Sequence, residues 1–108
     1  MLCYDIVEMS IAGARESNPE AQVNEDVLCR VRKDCDALDG IAADNDCECL
    51  TANADDGTLT LSVACPGYEF RGGRSSPFFD VIEHCDSFSF CNDGDTVVLT
   101  LCYGGIFL

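Results

Sequence analysis

DGTLTLSVAC (56–65) and DGDTVVLTLC (93–102) are the stretches that decide the fold. Each opens on an Asp-Gly turn signal, runs on through Thr, Val and Leu, and ends in a Cys eight residues after the Gly. Asp-Gly beside alternating apolar residues is a strong short-range hairpin signal, and β-branched side chains suit a pleated, half-buried strand. Cys47 and Cys49 precede the first stretch and Cys91 precedes the second, so two hairpins closed or cross-linked by disulfides are expected. The stretches are analogous rather than repeated. Leu59, Leu61 and Val63 share parity with Cys65, whereas Val97, Leu99 and Leu101 oppose Cys102. With a side-chain period of two, that offset turns the two cysteines to opposite faces.

Upstream, the spacing predicts an amphipathic helix over 18–39. Asn18 offers a cap, Pro19 suits the first helical position and Glu20 complements the dipole, with Ser17 and Glu20 as a capping box in the alternative register. Val23, Val27, Leu28, Val31, Cys35 and Leu38 form one apolar stripe, and Gly40 stands where a helix stop belongs. Cys35 lies on the stripe and Cys29 roughly opposite. Along a continuous helix they rise about 9 Å apart, too far to bridge each other. Residues 1–13, with Tyr4, Ile6 and Val7, read as a terminal strand. The segment 66–77 reads as loop, with Phe78–Ile82 and Phe88–Phe90 as further short strands. The apolar tip Ile106-Phe107-Leu108 calls for burial or a partner.

These segments give an α+β fold in a single disulfide-stabilised domain, 1–108. An N-terminal helix packs on a small antiparallel sheet of disulfide-linked hairpins, the hairpin region spanning 47–108. An all-β sandwich with a peripheral helix is the alternative. At 108 residues with 8% aromatics and no Trp, the core is thin and calls for supplementary bonds. Nine cysteines supply them, as in short secreted scaffolds. Cys35, Cys47, Cys49, Cys65, Cys85, Cys91 and Cys102 are the disulfide candidates. Nine is odd, and Cys3 and Cys29 are the candidates for an unpaired or intermolecular thiol. An extracellular location is expected from this cysteine usage, although Asp5 and Glu8 interrupt Met1–Gly13, so no signal peptide is present in this chain.

Twenty acidic residues against six basic ones give a net charge of −14. Such a surface repels nucleic acid and anionic membrane, and no apolar run is long enough to span a bilayer. No cofactor is expected, calcium excepted: Asp44, Asp46 and Glu48 place alternate carboxylates on one side of a turning segment. No C-x2-C pair supports zinc. His84 is the only histidine and stands beside Cys85, yet sequence neighbours rarely face one another, so no catalytic residue is assigned. The functional expectation is a non-enzymatic extracellular structural or protein-interaction module. It would self-assemble with other copies through strand edges, those of Leu2–Tyr4 and Leu101–Tyr103 included, or through an unpaired Cys. A small secreted effector, toxin or inhibitor acting through loops 66–77 and 86–96 is the alternative, and a small hydrolytic or thiol enzyme comes last.

Overall fold

A computed structural model describes residues 2–45, 47–66 and 79–108. The chain runs α1 (Cys3–Ser17), α2 (Glu25–Asn45), β1 (Glu48–Asp55), β2 (Thr58–Pro66), α3 (Phe79–Ile82), β3 (Ser87–Asp93) and β4 (Thr96–Gly104). The four strands form one antiparallel sheet in the order β1-β2-β4-β3, with α1 and α2 packed on it. This is the α+β architecture; the all-β sandwich is set aside.

Both hairpins form where expected, the second turn one residue later than its Asp93-Gly94 signal because Asp93 belongs to β3. Asp56 and Gly57 join β1 to β2 with positive φ at both positions (53° and 79°), the sign pattern of a type I′ turn. Gly94 and Asp95 join β3 to β4 with positive φ only at Gly94 (63°), the pattern of II′. β2 and β4 then pair along their whole length, Leu61 opposite Leu101 and Cys65 opposite Val97. Cys65 is buried with Leu59, Leu61 and Val63, while Cys102 alternates away from buried Leu101 and Tyr103, so the two cysteines face opposite sides as their parity requires.

Residues 1–13 were expected as a strand, and the structure corrects this: Cys3–Ser17 is a helix. Cys3, Val7 and Ile11 are its buried residues, with Ala14 packed on the core, a spacing that suits a helix stripe rather than a strand. The side chain of Asp5 accepts the Leu2 N–H (3.1 Å), and that of Asp39, from α2, accepts the Cys3 N–H (3.0 Å). Two carboxylates therefore sit at the positive end of α1. β1 contributes Ala52 and Ala54 beneath the helices, and their small side chains leave room for α1 to pack closely on this strand.

The second helix also starts later than expected, at Glu25 rather than Asn18. Asn18 instead ends α1. Asn24 caps α2, its Oδ1 accepting the Asp26 N–H at 3.2 Å, and Glu25 and Asp26 supply the first-turn acids. Gly40 does not stop the helix, which continues to Asn45. Ile41 and Ala42 carry the apolar stripe onward, and that packing outweighs the cost of about 1 kcal/mol for a Gly in a helix. Cys35 is buried and Cys29 exposed, as their opposed helical positions require. The segment expected to be a strand near Phe78–Ile82 is a short helix, Phe79–Ile82.

The C-terminal residues are stitched to the α1–α2 connection. Ile106 is fully buried; its N–H donates to Gly57 O (3.1 Å) and its carbonyl accepts the Asn24 N–H (2.7 Å). Leu108 N–H donates to Gln22 O (2.8 Å), and Phe107 bridges Val23. Val23 is therefore a sheet-like bridge residue and not part of the helix stripe.

Cys47 and Cys65 form a disulfide across 18 residues. It ties the exit of α2 to the end of β2 and closes the open end of the first hairpin. It is the disulfide formed among the described residues; of the other candidates Cys35 is buried, and Cys85 and Cys102 are half-buried. Cys91 is exposed on β3, and Cys49 is placed only as a position in β1.

Candidate functional site

Two features stand out above the scaffold: a buried polar clasp, and the face of the sheet that the helices leave bare. The clasp begins at Asp34. Its position, seven residues after Val27 and three after Val31, puts it on the apolar stripe of α2, and it is 1% exposed. A carboxylate there needs partners. Tyr103, buried on the helix side of β4, donates its hydroxyl hydrogen to Asp34 Oδ2. The Nδ1 of His84, just after α3, lies 2.8 Å from Asp34 Oδ1. Burial pushes the Asp34 carboxyl above its usual range, and the hydrogen bonds from Tyr103 and His84 pull it partly back. Burial, reinforced by Asp34, holds Tyr103 protonated.

A second tier surrounds this centre. Arg30, one turn before Asp34, donates to the His84 carbonyl (3.0 Å) and to Asp86 Oδ1 (3.3 Å). Asp86 Oδ2 accepts the Gly104 N–H at 2.6 Å, and that bond lowers the Asp86 carboxyl below its usual range, with Arg30 adding to the effect. The Asp86 N–H donates to Cys102 O (2.9 Å). α2, the 83–86 connection and the end of β4 are thus held together by polar groups.

Chemically, a histidine oriented through Nδ1 by a buried carboxylate is half of an acid–base constellation. The His84 side chain is 43% exposed. The other half is missing among the described residues: neither a hydroxyl nor a thiol is hydrogen-bonded to Nε2. Cys85, the neighbour in sequence, donates its thiol to Ile82 O (3.2 Å), and burial together with Asp34 raises its pKa, away from the thiolate a nucleophile needs. The sequence offered a signal for this cluster, an acid interrupting an apolar stripe, but its partners lie 50 and 69 positions away.

The bare face is the other candidate. Alternation along β4 buries Val97, Leu99, Leu101 and Tyr103 on the helix side and half-exposes Thr96, Val98, Thr100 and Cys102 on the other. The register carries this across the sheet. One row reads Thr51, Ser62, Thr100, Ser89 and the next reads Asn53, Thr60, Cys102, Ser87. Ser62 and Thr100 share a hydrogen bond of 3.4 Å between their hydroxyls. Neither β2 (TLTLSVACP) nor β4 (TVVLTLCYG) contains a charged residue. In a chain of net charge −14, the middle of this face is neutral.

Of the sequence-derived calcium set only Asp44 is described with its side chain. Asp44 is exposed at the end of α2, Asp46 lies outside the described residues, and Glu48 is placed only as the first position of β1. Among the described residues no three His, Cys, Asp or Glu side chains converge as metal ligands. A hollow of about 680 Å³ opens between the end of α1, the β1–β2 turn and the C-terminal residues, with Glu20, Asp55, Asp56 and Phe107 in its wall. Loop 66–77 lies outside the described residues apart from Pro66, and 86–96 is mainly strand β3 and its turn rather than a loop. No helix among the described residues is long and apolar enough to cross a membrane. No protein-family model, curated protein or solved structure matches the chain.

Proposed function

We propose that the chain is a non-enzymatic, extracellular protein-interaction module that presents the bare face of its sheet to a partner. The supporting observation is the distribution of charge. Acids are dispersed over the helices, turns and edges, while the outward positions of the two central strands half-expose hydroxyls, Val98 and Cys102, with Ala64 buried among them. A face kept free of charge in so acidic a chain suits close approach by another surface, since buried unpaired charge is costly at an interface. The Cys47–Cys65 bond suits an oxidising compartment. The partner is protein, neither nucleic acid nor anionic lipid, because the field of the whole molecule opposes phosphate.

Assembly through the edges of Leu2–Tyr4 and Leu101–Tyr103 is not part of this reading. The first is at the start of α1, and the second lies in β4, paired on both sides. The test is site-specific photo-crosslinking in secreting cells, with a photoreactive residue at position 60 or 100 and, as a control, at Lys33 on the exposed side of α2. Adducts are expected from 60 and 100 and not from 33. Equal yields from all three, or none from the face, would sink the reading. Compartment is checked separately by alkylating the protein from its source without reductant. At most seven of the nine cysteines should react, and nine reacting would place it in a reducing environment.

A second reading, a secreted effector acting through 86–96, is favoured by one observation. Phe88 on edge strand β3 is 46% exposed and packs edge-to-face on Phe90, ring centres 5.5 Å apart. Phe88→Ala and Phe90→Ala would weaken target capture if this hairpin made the contact, and leave it unchanged if the neutral face did.

A further inference from the structure

We infer that the occupant of the bare face is a second copy of this chain, docked sheet to sheet about a two-fold axis near Ser62 and Thr100. This rests on the interaction reading above and adds the identity of the partner. Charge is the first argument. A basic partner would be met by acids, of which the chain has twenty, yet its central strands contain none. The charged residues at register positions on the face, Glu48, Asp55 and Asp93, stand at the ends of the edge strands. Two such molecules repel, and the neutral middle of the face lets them approach at the least electrostatic cost.

Hydrogen bonding is the second argument. A two-fold interface sets a surface against itself, so its groups must complement their own copies. A carboxylate only accepts and an ammonium only donates, whereas a hydroxyl does both. The central rows, built on Thr60, Ser62, Thr100 and Ser89, can therefore pair with their own image without stranding a donor or an acceptor. Sheet faces with short side chains can also stack as the two layers of a sandwich do.

The size of the face sets the strength. Three strand spacings and nine-residue strands span about 14 by 30 Å, a footprint near 400 Å². That is well under the roughly 800 Å² per partner of a standard stable interface, so the dimer is weak and reversible. Its salt dependence has a definite sign. Screening the mutual repulsion of two molecules of charge −14 tightens the dimer as ionic strength rises, whereas binding to a basic partner would loosen.

Sedimentation equilibrium decides the matter, comparing wild type, Thr100→Glu and Ala12→Glu at 0.05 and 0.5 M NaCl, with circular dichroism to confirm folding. Ala12 is exposed on α1, so both variants add the same charge and only one puts it on the face. The wild type should dimerise more tightly in high salt. Thr100→Glu should weaken the dimer about tenfold or more by setting like charges against each other, and Ala12→Glu should change it little. Ser62→Glu, one strand over, replaces Thr100→Glu if the latter fails to fold. A wild type that stays monomeric at millimolar concentration in 0.5 M NaCl, a dimer that loosens with salt, or equal effects of the two variants would each overturn self-docking. Monomers in solution combined with face-specific adducts heavier or lighter than a dimer would overturn the second copy and leave the interaction reading standing. Absence of any face adduct removes that reading itself.

Discussion

The two hairpins share a backbone plan and differ in how their open ends are held. β1–β2 is closed by the covalent bond between Cys47 and Cys65 and lies under α1. β3–β4 is held where the connection from α3 enters it, by Asp34, His84 and Tyr103 within and Arg30 with Asp86 outside. The difference teaches that one sheet can be fastened by a redox-sensitive staple on one side and a pH-sensitive clasp on the other. Each half then responds to a different change in its surroundings.

The strongest way to break the comparison is to remove the staple. Replacing Cys47 and Cys65 together by Ala should cost about 2–4 kcal/mol, the usual worth of closing a loop of this length, read as a lower urea midpoint. Hydrogen exchange should rise first in β1, with β3–β4 less affected. Asp34→Ala should cost about 1–3 kcal/mol, because it leaves the buried Tyr103 hydroxyl without its acceptor. Its exchange footprint should be the mirror image, concentrated in 83–87 and the end of β4. A uniform footprint in both variants would show that the halves unfold as one unit.

A pH series sharpens the same contrast. Asp34 is raised in the folded protein, so its share of stability is full below the ordinary carboxylate pKa and is lost as pH rises through the raised folded value. Asp86 is lowered and works the other way: its share is present above the ordinary value and lost as pH falls through the lowered one. Relief of the net negative charge adds to the Asp34 trend. Thermal scans from pH 7 down towards 4 should therefore show the wild type gaining Tm relative to Asp34→Asn. An unchanged gap between the two curves would remove Asp34 from the account. The smallest effect belongs to the outer tier. Arg30→Met should cost less than about 1 kcal/mol, since the Arg30–Asp86 pair is solvent-exposed, and 0.5 M NaCl should shrink that cost further.

What was legible in the sequence follows from how local each signal is. Asp56-Gly57 and Gly94 fix their turns within two residues, and the parity of Cys65 against Cys102 follows from counting along one strand. The first turn and the parity came out as expected, and the second turn moved on by one residue, to Gly94-Asp95. The first helix was misread because Tyr4, Ile6 and Val7 suit strands, while the stripe Cys3, Val7, Ile11 is short and interrupted by acids. The start of α2 was misplaced because Asn18-Pro19-Glu20 and Asn24-Glu25-Asp26 both carry cap chemistry. Only tertiary contact, Ile106 O accepting the Asn24 N–H, distinguishes them. The Asp34–His84–Tyr103 cluster shows in the sequence only as an acid on an apolar stripe, because no spacing rule links residues on a helix, a connection and a strand that meet only after folding.

β4 has one more consequence, for synthesis. Of the four strands of this sheet it is made last, and it joins the two halves, paired to β2 on one side and β3 on the other. Until it emerges, β2 has an open edge lined with Leu, Val and Thr, and β3 has no neighbour. A nascent chain stalled before Thr96 therefore carries an unsatisfied edge, and a chaperone that shields an extended apolar segment should be needed longest at that point.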